Sequence, residues 1–108
     1  MAKAEYIQRG DNIDYTATAN VAYMEIVPLV SRIGIALAEI PKGETGTLTI
    51  VGAFRLPALT EKLDVGQAAY WDKTQNAVTG TSGANTVPAG TVIAAKEQAG
   101  TSALVRIG

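Results

Sequence analysis

The 108-residue chain contains no cysteine and no histidine. Those two absences remove disulfides, thiolate nucleophiles, zinc sites built on Cys or His, and every triad or proton shuttle that depends on imidazole. They leave the redox compartment undetermined, because a disulfide-free protein survives in either. Charge of one sign is also lacking: nine Lys+Arg face ten Asp+Glu, a formal net charge of −1. That balance does not supply the basic surface on which nucleic-acid binding rests. The most apolar stretch, residues 21–40, carries Glu25, Arg32 and Glu39 and is interrupted by Pro28 and Gly34. A spanning helix needs about 20 mostly apolar residues, so no membrane segment is predicted. No apolar run follows Lys3, so no secretory signal is read there and cytoplasmic synthesis is expected.

What the chain does have is glycine, threonine and a period of two. Eleven glycines are about a tenth of the residues, and twelve threonines accompany them. Ile13, Tyr15 and Ala17 alternate with Asp14, Thr16 and Thr18. Ile33, Ile35 and Leu37 alternate with Gly34, Ala36 and Ala38. Leu48, Ile50, Gly52, Phe54 and Leu56 share one face of what reads as a continuous strand, opposite Thr47, Thr49, Val51, Ala53 and Arg55. Turn chemistry punctuates these runs at Gly10-Asp11-Asn12, Pro41-Lys42-Gly43-Glu44, Ser82-Gly83-Ala84-Asn85, Pro88-Ala89-Gly90 and Ala99-Gly100. Tyr70-Trp71-Asp72 and Ala77-Val78-Thr79 read as a hairpin with a polar loop.

The prediction is therefore an all-β single domain over residues 1–108, of roughly eight or nine short antiparallel strands closed into a small barrel or sandwich. At most one short helix or structured loop fits, where Leu56, Leu59 and Leu63 have helical spacing between Pro57 and Gly66. Residues 1–9 read equally as a first strand or as an extended arm that adds to another chain's sheet edge.

Candidate chemistry is sparse. Asp11, Asp14, Asp64 and Asp72 are the carboxylates that acid–base or cation chemistry would use. Asp11 lies in a turn and Asp72 opens a hairpin loop, positions where carboxylates bond local amides, so a structural role is favoured for both. There is no Gly-Lys dipeptide and hence no Walker loop. The cations are scattered and do not interleave with the six aromatics as a stacking groove requires. Tyr70 and Trp71 are adjacent in a strand and point to opposite faces, which makes one of them a candidate for a partner surface. No cofactor and no metal site is expected, and no enzymatic activity.

Three stretches together resemble a known family. They are Gly10-Asp11-Asn12-Ile13-Asp14-Tyr15-Thr16, the run from Gly43-Glu44-Thr45-Gly46 through Phe54-Arg55-Leu56-Pro57, and Tyr70-Trp71-Asp72 with Val78-Thr79 and a terminal Val105-Arg106-Ile107. In order and spacing they are similar to the small capsid decoration, or cement, proteins of bacteriophages, similar in role to the head decoration protein of phage lambda. The resemblance implies a structural virion protein on the outer surface of an icosahedral shell. It implies the major capsid protein as partner and a homotrimer at three-fold and quasi-three-fold sites, without nucleic acid or membrane. It carries no catalytic residues. Relatives labelled recombinases find no support in a chain without a Walker loop. One departure from the pattern stands out: Met24-Glu25 occupy a turn where a glycine is expected. On this reading Glu5, Tyr6, Ile7 and Gln8 are the candidates for shell contact. Gly43, Glu44, Leu56, Leu59 and Trp71 are the candidates for contact between subunits. A different class remains open beside it: a non-catalytic β module binding a glycan or other small ligand through Trp71 and the carboxylates. A weak hydrolase using Asp11, Asp14 or Asp64 is a third.

Overall fold

Alternating β-branched and small residues produce nine strands in the computed structural model, which describes residues 2–7 and 10–108. They are β1 (Asn12–Thr16), β2 (Ile26–Pro28), β3 (Ile33–Ala36), β4 (Thr45–Thr49), β5 (Gly52–Pro57), β6 (Ala68–Asp72), β7 (Ala77–Thr79), β8 (Thr86–Val92) and β9 (Ser102–Ile107). All ladders are antiparallel and fall into two sheets, β1-β4-β3-β2 and β5-β9-β8-β6-β7. The sheets pack as a sandwich and do not close into a barrel. A single parallel bridge, Ala58 to Val78, ties the end of β5 to β7. The result is a slab of 42 × 41 × 24 Å.

β3 is the strand on which the sandwich depends. All four of its residues are buried, because both of its faces are covered. Ile33 and Ile35 join the larger core with Leu56, Trp71, Val78, Val87, Val92, Val105 and Ile107 of the five-stranded sheet. Ala36, on the opposite face, packs with Val27, Ile40 and Leu48 in a second, smaller core that Ile13 and Tyr15 partly cover. The small residues on that face are required by space: a Cβ added at Gly34 would stand 3.0 Å from Leu48 Cδ1.

Three elements differ from the sequence reading. Pro88-Ala89-Gly90, expected as a turn, lie inside β8, where proline and a positive-φ glycine accompany an irregular β6–β8 register instead of ending the strand. The run expected as one strand over residues 47–56 is two, β4 and β5, in different sheets. Gly52, at φ +142°, takes a backbone conformation that L side chains rarely adopt, and the chain crosses there from one sheet to the other. The segment after Pro57 is a structured loop, with no helix among the described residues. Its donors go to distant segments: Leu59 N to Val78 O at 2.9 Å, Leu63 N to Lys96 O at 3.1 Å, Gly66 N to Val92 O at 2.7 Å. The apolar spacing of Leu56 and Leu63 marks two visits to one core, not one face of a helix.

The hairpin is as expected, with Tyr70, Trp71 and Asp72 opposite Thr79, Val78 and Ala77. Asp72 Oδ1 accepts from Thr74 N at 2.9 Å and Gln75 N at 3.1 Å. Asn76 takes the left-handed conformation, φ +54°, which its short polar side chain tolerates. Leu37 lies just past the end of β3 and is 41% exposed rather than aligned with Ile33 and Ile35.

Candidate functional site

Residues 2–7 form no strand, and each is exposed. Within them, Tyr6 is 79% and Ile7 75% accessible, large apolar side chains left in water. Glu5 shares that exposure, while Gln8 lies outside the described residues.

The residues considered for contact between subunits are divided by the fold. Gly43 and Glu44 lie at the surface in a turn closed by Glu44 N to Pro41 O at 3.0 Å. Gly43 sits at φ +85° in the third position of that turn, where glycine avoids the steric cost of a left-handed residue. The turn is anchored to Ala17, which donates to Glu44 O and accepts from Gly43 N. Leu59 is half-buried. Leu56 and Trp71, in contrast, are only 2% and 4% exposed and belong to the larger core. Packing is therefore what both side chains do in this fold, and neither offers surface to a second copy. Of the aromatic neighbours it is Tyr70 that turns outward, half-buried, beside a shallow depression of about 260 Å³ that Arg32, Pro88 and Thr91 also line.

The carboxylates do not converge. Asp11 and Asp14 belong to the edge of the four-stranded sheet, Asp64 to the loop after β5 and Asp72 to the end of β6 in the five-stranded one. Asp64 stands 3.9 Å from Lys62 on the surface. Asp72 is committed to its own turn. No group of three acidic residues able to hold a metal ion occurs among the described residues.

Two further features stand out, the first without any sequence signal and the second noted in the sequence only as a missing glycine. The first is a polar cluster under the loop after β5. There Glu61 Oε1 accepts from Thr79 Oγ1 at 3.0 Å and from Gly80 N. Lys96, only 5% exposed, donates from Nζ to Glu61 O at 2.6 Å and Glu97 O at 3.1 Å. The partners of Glu61 lie 18 to 35 residues away in sequence, so no local motif announces them. The second is the turn at residues 22–25. Met24 holds φ +65°, the conformation a glycine takes at least cost, and Ala22 N donates to Glu25 Oε1 at 3.1 Å across the turn. The missing glycine noted in the sequence is thus a left-handed methionine, and Tyr23 beside it is 66% exposed.

The chain belongs to the phage cement protein family, whose family model matches residues 7–107. That match takes in all nine strands and leaves Glu5 and Tyr6 outside it. Membership implies a structural, capsid-stabilising role, a phage capsid as partner and the virion as location. Neither the curated proteins nor the solved structures contain a match to the chain.

Proposed function

We propose that the protein binds the outer surface of an expanded icosahedral phage shell as a homotrimer at three-fold and quasi-three-fold positions, and stabilises it there without catalysis. The observation that carries this reading is the arm of residues 2–7, whose Tyr6 and Ile7 are the kind of surface a shell groove would bury. A net charge of −1 gives little long-range attraction, so affinity must come from apolar burial and backbone pairing. The accessible surface is 6785 Å². A folded monomer of 11.2 kDa exposes about 5,700 Å². The excess goes with a flat slab that carries an exposed arm.

Burying Tyr6 and Ile7 supplies roughly 1.5–3 kcal/mol each before ordering costs. Ordering the arm and losing free motion offset most of that gain, so one arm alone is a weak ligand. Three arms on one trimer raise the apparent affinity by about 10²–10⁴ where all can engage together. Deleting residues 2–7 is expected to leave Trp71 emission and unfolding unchanged and to abolish binding to expanded shells, read by co-sedimentation. Binding that survives the deletion would overturn the arm's role.

A further inference from the structure

The free edges of the two sheets are complementary in three respects. In β1, the bonds Ile50 N to Asp11 O and Ala17 N to Glu44 O show that positions 11, 13, 15 and 17 turn their backbone groups to β4. Asn12, Asp14 and Thr16 therefore present N–H and C=O to an open edge that no proline blunts. In β5, Ala58 N to Thr101 O sets the same alternation, so Ala53 and Arg55 face outward. The Pro57 end is already tied to β7.

We propose that β1 of one copy pairs antiparallel with β5 of the next copy, with Asp14 opposite Arg55 and Thr16 opposite Ala53. In that register the outward backbone groups of Asp14 and Thr16 meet those of Arg55 and Ala53, giving up to four main-chain hydrogen bonds, while Asn12 falls opposite Pro57, where the pairing ends. Asp14 and Arg55 are both exposed, and neither has an ion pair among the described residues. Arg55 holds only a long 3.4 Å contact to Ser102 Oγ. The same register sets Tyr15 opposite Phe54 at a non-hydrogen-bonded site, where side chains come closest and aromatic pairs are favourable. Both rings are half-buried in their own copy, each on the margin of its core. Self-pairing of β1 about its centre, in contrast, would set Asp14 against Asp14.

The wider charge distribution agrees. Residues 11–50 hold five carboxylates and two cations, whereas residues 51–108 hold four carboxylates and five cations. β1 and β5 are different surfaces, so the contact is head-to-tail and builds a ring wherever the rotation closes. This inference rests on the trimer reading above and names the contact that closes it.

The chain's lack of cysteine makes a covalent test clean. Thr16→Cys with Ala53→Cys places two thiols about 5.5 Å apart at the Cα atoms only if the edges pair, a spacing a disulfide spans. Oxidation is expected to yield covalent trimers on denaturing gels, from concentrated protein or from decorated shells, and monomers when either cysteine is alone. Asp14→Arg or Arg55→Asp is expected to weaken assembly roughly tenfold per contact, and the two together to restore it. Three-fold density on shells without cross-linking, and with single charge reversals silent, overturns the edge pairing while the trimer stands. Monomers in solution, with shells bare at their three-folds, overturn both.

Discussion

Gly90 is the position where a single methyl group should cost most. It lies in β8 opposite Ile107 of β9 and Ala69 of β6, beside the bulge at which the β6–β8 register shifts. Its φ is +149°, and a Cβ placed on it would stand 2.0 Å from the Arg106 carbonyl oxygen. Real Cβ atoms essentially never approach closer than 3.0 Å, so the two backbones must part by about 1 Å. Arg106 is part of the adjoining Thr91–Arg106 rung, which such a shift breaks. The forced conformation costs about 1–3 kcal/mol. Two ladder hydrogen bonds cost about 0.5–1.5 kcal/mol each. Val105 and Ile107, fully buried on the same strand, are drawn out of register with the core.

For Gly90→Ala a loss of about 4 kcal/mol follows, a large part of the ~5–15 kcal/mol that holds a domain together. Urea unfolding followed by Trp71 emission should show it as a lower midpoint, and heating as a melting temperature reduced by roughly 15–30 °C. Gly83→Ala is the control, because a Cβ there meets nothing within 4 Å and its effect should stay within about 0.5 kcal/mol. A Gly90→Ala protein within about 1 kcal/mol of the parent would refute the steric reasoning.

Met24→Gly should stabilise the fold by about 0.5–1 kcal/mol, since the left-handed conformation costs methionine more than glycine's added chain entropy; a loss of stability in the same urea assay would show that Met24 contributes packing instead. Lys96→Ala should cost about 2 kcal/mol by stranding the Glu61 and Glu97 carbonyls, with amide exchange faster in the loop after β5. Ile35→Ala, at the centre of the double-faced strand, should cost about 2–5 kcal/mol in calorimetry, and Ile35→Val about 0.5–1.5. Titration with sugars or divalent cations should leave Trp71 emission unchanged, because the ring is only 4% exposed; a saturable response would favour a ligand-binding module.

Strand periodicity made most of the fold legible. The alternation at Ile33-Gly34-Ile35-Ala36 announced a strand with one large and one small face, and the hairpin about Tyr70-Trp71-Asp72 followed from the polar residues of its loop. The split at Gly52 was hidden, because apolar alternation continues across a strand that changes sheets and only the backbone conformation marks the crossing. Leu56, Leu59 and Leu63 misled for a related reason. Spacing along the chain shows which residues seek the core, but a loop that touches the core twice produces the same spacing as a helical turn. At the candidate site, Tyr6 and Ile7 were legible as apolar residues ahead of the first turn. Trp71 was not, since adjacency to Tyr70 establishes that the two point oppositely without saying which way is inward.

By itself, then, the sequence determined a disulfide-free all-β chain without imidazole or thiol chemistry, because residue types and a period of two are local properties. It also determined most turn positions, through glycine, proline and asparagine, but not at Pro88-Ala89-Gly90, which continue a strand. Only the tertiary structure decided that two sheets stack without closing, that Lys96 and Glu61 meet beneath a loop, and that Asp14 and Arg55 stand on open edges. Those facts depend on contacts between residues far apart in the chain, whose geometry is set by how the cores pack and by no segment alone.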